Sequence, residues 1–408
     1  MKRLRNLGRR MAVPVLSVIT ALIVGGVVIV LTDFEAYSKL GTDPLGAIGG
    51  AVGGVGKAYG SMLAGAFGDP GRVLNALRTG NPRDIAPAIR PITETLVATT
   101  PLIFTGLAVA ISFRAGMFNI GGNGQLMLGA LAATMTAIFM AGSAPAVVIL
   151  FASIGAATLA GGVWGFIPGF LKARTGAHEV ITTIMLNAIA SLVLFFALRS
   201  PQLRAAGSTS PVSKNLAPIV DVPNIISLPS LRLDYSFVVA LIMAGLVSLL
   251  LFRTTKGFEL RASGFNLTAA RYAGMSAGGS MMLAMALSGA LAGLAGGFVV
   301  IGTVGQLSLD IAGGAGGGIG FIAIALALLA GLRPSGVVAA ALLFGALSQG
   351  GKLMGVQSGI PFDLLIFIMA LVIMFVAAPG LIRAIWRVRV ARPAPEIAAV
   401  TPEGAPTV

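Results

Sequence analysis

The chain has no cysteine, a single histidine, and only 14 acidic residues against 28 basic ones in 408 positions. Without cysteine there are no disulfides, no thiolate metal sites and no thiol nucleophile. With His178 alone, no triad built on histidine can form. Charge of either sign is scarce as well. Only 10% of the residues are charged, where a soluble domain carries about a quarter. Such a chain cannot keep itself in water. Its 56% hydrophobic content and mean hydropathy of +0.94 describe an integral membrane protein. Apolar runs of about 20 residues recur throughout, so one polytopic domain is expected rather than several soluble ones.

Sites for chemistry are missing too. "VGKAYG" offers a Gly-Lys pair, but Ala58 stands where a phosphate loop needs Ser or Thr, and Ala51 where its first glycine belongs. "HEVIT" opens like a zinc helix, yet Thr182 occupies the place of the second histidine. No catalytic residue, metal site or cofactor is expected, and no ATPase is encoded in this chain. Glu94, His178 and Glu179 fall at span ends, so no ionisable group lies mid-span. Proton-coupled carriers usually bury acids or histidines to relay protons. Sodium sites made of backbone carbonyls would escape that test.

What is present is apolar length punctuated by basic turns. The length criterion places about ten spans, roughly at 12–31, 93–112, 120–141, 145–170, 180–198, 235–252, 279–301, 317–331, 335–350 and 362–380. The net charge of +14 sits between or beside these runs, as topology signals do, and not on a soluble face for nucleic acid. Short turns bearing Lys172 and Arg174, then Arg253 to Arg271, then Arg333, then Arg383 to Arg392, define the inner side. Both termini are then cytoplasmic. The start resembles a signal peptide, but no A-x-A site directly follows the apolar run, so 1–31 is expected to be an N-terminus and an uncleaved first span. Residues 32–92 form an external amphipathic segment. "AYGSMLAGAF" and "GRVLNALRTG" read either as short surface helices or as a plain loop. Residues 93–380 are the transmembrane core, with a cytoplasmic segment at 253–278. Residues 381–408 are a basic and then disordered tail.

Two glycine-rich breaks interrupt the core. "FRAGMFNIGGNGQLMLGALAA" (113–133) and "GQLSLDIAGGAGGGIGFIAIALALLAG" (305–331) each feed an apolar helix. The span before the first runs inward and that before the second runs outward. This is the pattern of an inverted repeat of spans two to five and seven to ten, whose broken helices flank a central pathway. Asn119, Asn123, Gln125 and Asn187 on one side, and Gly316, Gly318 and Gly320 on the other, are the expected pathway residues. Amides in lipid need partners, and a solute path would supply them. For the glycines the competing reading is close helix packing, since small-xxx-small spacing is abundant.

One stretch is polar where its surroundings are greasy: "GFELRASGFNLTAARYAGMS", residues 257–276. Asn266 is a good N-cap, and Gly274 supplies a left-handed stop. The result is a helix of about two turns, too short to stand alone. Leu267, Ala270 and Tyr272 can press on a neighbour. That neighbour is either this protein's own spans or a cytoplasmic partner.

The same residues resemble a family. "LRASGFNLTAARYAGM" is similar to the cytoplasmic coupling segment of ABC-importer permeases of the ribose and branched-chain amino acid class. "FRAGMFNIGGNGQLMLGALAA", "KARTGAHEVITTIMLNAIA" and "IAIALALLAGLRPSGVVAAALLFGAL" follow in that class's order. The resemblance covers about 93–375 and is nearest to the nucleoside branch, also described as simple-sugar permeases. The long external segment resembles that of the larger of the branch's two permeases.

This resemblance implies a multi-pass subunit of the bacterial cell membrane with three protein partners. They are an ATP-binding subunit, a second and different permease chain, and an extracytoplasmic substrate-binding lipoprotein. It places Glu259, Arg261, Gly264, Asn266, Ala270, Arg271 and Gly274 against the ATPase. The sequence departs from the family pattern at Asn123, where relatives usually have Glu, at Ile322, where many have Asp, and at His178, where many have Asn. The implied cargo is a small neutral, hydroxyl-rich solute: a nucleoside, with ribose or another simple sugar as the alternative. An ion-coupled carrier is the competing reading of another class.

Overall fold

In the computed structural model the described residues are 2–39, 41–226, 228, 230–312 and 318–387. Among them the protein is all-α; extended pairing is limited to isolated bridges such as Val212 with Ser308. Helix α1 (Lys2–Leu31) is followed by α2 (Phe34–Lys39), α3 (Pro44–Phe67) and α4 (Pro70–Thr79). Then come the long helices α5 (Pro82–Arg114), α6 (Gly122–Met140), α7 (Ala146–Thr175), α8 (Glu179–Arg199) and α9 (Ser236–Arg253). Two short ones, α10 (Thr255–Phe265) and α11 (Leu267–Tyr272), precede α12 (Ala277–Phe298), which runs on into a π-turn at Val299–Val304. The chain closes with α13 (Gly318–Leu329), α14 (Pro334–Ser358), α15 (Phe362–Ala377) and α16 (Pro379–Ile385).

Seven of these helices are long and apolar enough to cross a membrane: α5 to α9, α12 with its π-turn, and α14. Helix α15 with α16, bent by 90°, makes an eighth if the pair is one span. The first and eighth expected spans are shorter apolar helices, Val15–Leu31 and Gly318–Leu329.

Helix α5 is the axis of the bundle, with α12, α13, α14 and α9 packed around it. Its window is 83% buried, which explains its threonines. Thr99, Thr100 and Thr105 return their hydroxyls to the carbonyls of Thr95, Leu96 and Pro101, four residues back. That satisfies polar groups with no water at hand. Phe104 of α5 stacks on Phe298 of α12, ring centroids 5.6 Å apart. On its other face α12 meets α6 and α7 backbone to backbone. A Cβ on Gly161 would come within 2.4 Å of the Gly289 carbonyl oxygen, so these helices close through absent side chains.

The segment 32–92, expected to be external, differs from its expected form in two ways. "AYGSMLAGAF" is the end of one continuous helix, α3, whose Ala47, Ala51, Ala58, Met62 and Ala66 are buried. It packs on α14: a Cβ on Gly350 would meet the Met62 carbonyl oxygen at 2.2 Å. Residues 82–92 belong to α5 itself, started by Asn81 accepting from Arg83 N and by Pro82 in the first turn. "GRVLNALRTG" does form a short helix, capped by Asp69 and stopped by Gly80 at φ +64°.

Candidate functional site

The first break is stitched shut by amides. Asn119 and Gln125 donate to each other's side-chain oxygens at 3.0 and 3.1 Å. Asn119 also donates to Ser288 Oγ at 2.8 Å, and the Ser288 hydroxyl donates to the Ala108 carbonyl at 2.7 Å. Its Oδ1 accepts from Gly121 N at 2.9 Å. From α8, Asn187 accepts from Gly124 N at 2.8 Å and donates to the Ile120 carbonyl at 2.9 Å. Asn123 Oδ1 accepts from Gly320 N on α13 at 2.7 Å. Asn119 and Gln125 are each only 1% exposed. The partners that sequence reasoning sought in a solute are thus supplied by the protein, and these four amides are not lining residues of the main cavity.

That cavity, about 560 Å³, lies between α5, the π-turn, α13, α14 and α15. Val97, Pro101 and Leu102 of α5, Ile319 and Ile322 of α13, and Phe344 of α14 make an apolar wall. Polar groups enter it from three places. Thr303 comes from the π-turn, where the wider winding turns a residue inward; Ser348, Gln349 and Lys352 come from α14; Asp363 begins α15. Glu94 and Arg232 complete the ring at one end. Arg232 reaches Glu94 with two bonds, Nε to Oε1 at 3.0 Å and Nη2 to Oε2 at 2.6 Å. The carboxylate thereby raises the arginine's pKa, and Arg90 stands 3.8 Å from the same acid.

Of the expected pathway glycines, Gly318 lines the cavity at φ +72°. Gly320 packs against the first break, where a Cβ would come within 2.6 Å of Asn123 N. Gly316 lies outside the described residues. Thr303, a single polar residue in an apolar run, and Ser348–Gln349, a lone polar pair, were missed because neither carries a motif. Ile322, where relatives often carry Asp, does face the cavity and makes it greasier there.

Loop 200–235 ties the π-turn to the rest. Ser213 N donates to the Leu307 carbonyl at 2.9 Å, Leu307 N donates to Ser213 Oγ at 2.9 Å, and Leu216 N donates to the Gly305 carbonyl at 2.8 Å. Asp234 is buried under the π-turn; its Oδ1 accepts from Ser236 N at 2.9 Å and from the Ser236 hydroxyl. Burial pushes its pKa above the ordinary carboxylate range, and Asp221 nearby adds to the rise.

At the opposite end of the bundle lies the polar segment. Thr254 caps α10 by accepting from Gly257 N at 3.0 Å, and Asn266 caps α11 by accepting from Ala269 N at 3.0 Å. Gly274 at φ +77° ends it, with Met275 N closing on the Ala270 carbonyl at 3.0 Å. The helix of the capping argument is therefore present, preceded by a second helix that the sequence pattern did not isolate.

The seven coupling candidates divide by direction. Asn266, Arg271 and Gly274 are exposed. Ala270 is buried, and Gly264 presses on the end of α5, where a Cβ would sit 2.2 Å from the Arg114 carbonyl oxygen. Arg261 folds back over the Phe252 ring, 5.3 Å from its centroid, and Glu259 pairs with Lys256 at 2.9 Å. Tyr272 is 90% exposed, so of its two expected neighbours this protein's own spans are ruled out, and Phe265, which sequence reasoning passed over, is 95% exposed.

Long apolar helices around a cavity of this size describe a multi-pass membrane protein. Residues 92–377 match the family described as branched-chain amino acid transport system / permease component, and the chain belongs to that family. It is 41% identical over 293 residues to the guanosine ABC transporter permease protein of Bacillus subtilis, covering 71% of this chain and 82% of that one. The glucose ABC transporter permease protein of Haloferax volcanii is 34% identical over 370 residues, covering 89% and 86%. The nucleoside ABC transporter permease protein of Lactococcus lactis is 34% identical over 299 residues, covering 72% and 80%. No solved structure matches the chain. The protein is an ABC transporter permease of the cell membrane.

Proposed function

We propose that this subunit carries nucleosides inward through the cavity between α5, the π-turn, α13, α14 and α15. The observation that carries the reading is the cavity's make-up. Its volume of about 560 Å³ falls within the range of about 300–1,000 Å³ usual for small-molecule sites. An apolar wall suits a flat base, and Thr303, Ser348 and Gln349 offer the uncharged donors and acceptors that a ribose and a base edge require. Two of the relatives that support this reading are named for guanosine or nucleosides.

The remaining parts follow from the same reading. Ten spans, with an inverted repeat of spans two to five and seven to ten and both termini inside, put loop 200–235 outside and α10–α11 in the cytoplasm. An extracytoplasmic lipoprotein delivers the solute to the end marked by Glu94 and Arg232, and a second permease chain completes the channel. A separate ATP-binding subunit takes hold of Phe265, Asn266, Arg271 and Tyr272, the groups that stand out from the α10–α11 turn. Gly264, Ala270 and Gly274 hold that turn in place without touching the partner. ATPase closure then moves α10 and, through Gly264, the end of α5.

The test is uptake of labelled guanosine and of free ribose by cells carrying the whole transporter. Guanosine uptake that disappears with the ATPase gene, and little ribose uptake, is the expected result. Uptake of ribose alone would move the assignment to sugars. Guanosine uptake that survives loss of the ATPase and collapses with the ion gradient would make the protein an ion-coupled carrier. Within the complex, replacing Arg271 and Tyr272 by alanine is expected to weaken ATPase association. Normal association and uptake in that variant would remove the role given to α11.

A further inference from the structure

We propose that Arg114 and Arg261, which share the Phe252 ring, together with Arg333 beside Arg114, bind the phosphate of an anionic phospholipid in the leaflet on the α10–α11 side. Arg114 and Arg261 each lie 5.3 Å from the centroid of the Phe252 ring. Arg261 and Arg333 are both close enough to Arg114 to repel it. Arg114 is fixed there by its bonds to the carbonyls of Leu332 at 3.1 Å and Gly331 at 3.3 Å, and Arg261 by Gly257 at 3.3 Å. Two of the three like charges are thus held in place by carbonyls and a ring face.

Among the described residues no carboxylate is paired with them. Among the described residues the acids at this end are Glu179 and Glu259, already paired with Lys172 at 2.8 Å and Lys256 at 2.9 Å. An anion from outside the chain is what the cluster lacks. Guanidiniums take phosphate oxygens in forked pairs, and basic pockets between membrane helices on the inner side bind lipid headgroups.

The neighbouring surface selects a lipid over a protein acid. Ile242, Leu246, Leu249 and Phe252 are all exposed and follow one another down the outward face of α9. Ten residues of helix make that stripe about 15 Å long, a fitting track for an acyl chain whose headgroup ends among the arginines. The parts of the turn that protrude most, Phe265 and Tyr272, belong to the end of α10 and to α11 and not to this stripe. The inference rests on α9 being membrane-embedded and on nothing about the solute.

Native mass spectrometry of the purified full-length protein, taken from vesicles of phosphatidylglycerol or of phosphatidylcholine, tests it. Wild type is expected to retain phosphatidylglycerol in preference to phosphatidylcholine. R261Q and R333Q should each lower that retention about fivefold, and together more. R383Q, a charge change elsewhere at the same end, should leave it unchanged. R261K with R333K should keep most of it, which separates loss of charge from misfolding. Equal retention of both lipids by wild type, or undiminished retention in the double glutamine variant, overturns the proposal. So does a double variant that keeps its lipid while losing the ATPase subunit, because the arginines are then a protein contact. None of these outcomes depends on whether guanosine is transported.

Discussion

The two glycine-rich breaks, at 113–133 and 305–331, have opposite characters. The first, residues 115–121 before α6, is riveted: every side chain of Asn119, Gln125 and Asn187 is bonded within the protein. The second, from the π-turn to α13, opens on the cavity through Thr303 and Gly318. A polar residue at membrane depth is thus no pointer to a pathway until its bonds have been counted. Satisfied amides fix non-helical backbone in place, and the proposed solute path runs beside them. The contrast makes opposite demands on mutation. Changes in the first break should cost stability, and changes in the second should cost transport.

The largest effect is expected at Asn119. Asn119→Ala leaves Gln125, Gly121 N and Ser288 short of partners in a buried site. Unpaired buried polar groups cost about 1–3 kcal/mol each, so the variant should lose several degrees in thermal unfolding and much of its folded yield. Transport per folded molecule should stay near wild type. A stable Asn119→Ala protein with altered solute preference would reverse the roles given to the two breaks.

Gly320→Ala comes next, because it strikes the seam between them. Its new Cβ would meet Asn123 N at 2.6 Å, backbone that cannot swing aside. Overpacking of this kind costs about 1–3 kcal/mol, and α13 must move away from α6 to relieve it. Both unfolding temperature and uptake rate should fall, measured in membranes and in cells respectively. Gln349→Ala should do only the second. One lost hydrogen bond to the solute is about 0.5–1.5 kcal/mol, or a KM raised roughly three- to tenfold with the melting temperature unchanged.

How much of this was legible beforehand follows from which signals are local. Caps and left-handed stops are local, so the helix from Asn266 to Gly274 could be read from nine residues. Apolar length is local as well, and the helical segments fell where the runs did. Direction is not local. Nothing in "NLTAARY" says that Tyr272 points outward while Ala270 points in; that depends on where α10 meets the end of α5 at Gly264. The amides misled for the same reason. Their need for partners was visible in the sequence, but the partners, Ser288 and Gly320, lie 169 and 197 positions away. Glycine was ambiguous because close packing and a lined cavity ask for the same residue, and Gly318 and Gly320 do one each.

The smallest effect, at Asp234, sharpens the comparison from the outside. This acid holds the start of α9 through Ser236 and lies beneath Gly302 in the π-turn, so the second break depends on it. Burial raises its folded pKa above the unfolded value. Its contribution to stability is therefore complete below the ordinary aspartate pKa of about 3.9 and is lost as pH rises through the raised folded value. At neutral pH the buried charge opposes folding. Asp234→Asn keeps an oxygen to accept from Ser236 and carries no charge, so it should unfold about 2 °C later than wild type at pH 7.5. The gap should close as the pH falls toward 4. Asp221→Asn should give a smaller gain of the same sign, since Asp221 adds to the rise at Asp234. A variant gain that grows on acidification would mean that the Asp234 carboxylate is stabilised as an anion by a partner at the π-turn. The second break would then be held by charge, as the first is held by amides, and the two would differ less than their geometry suggests.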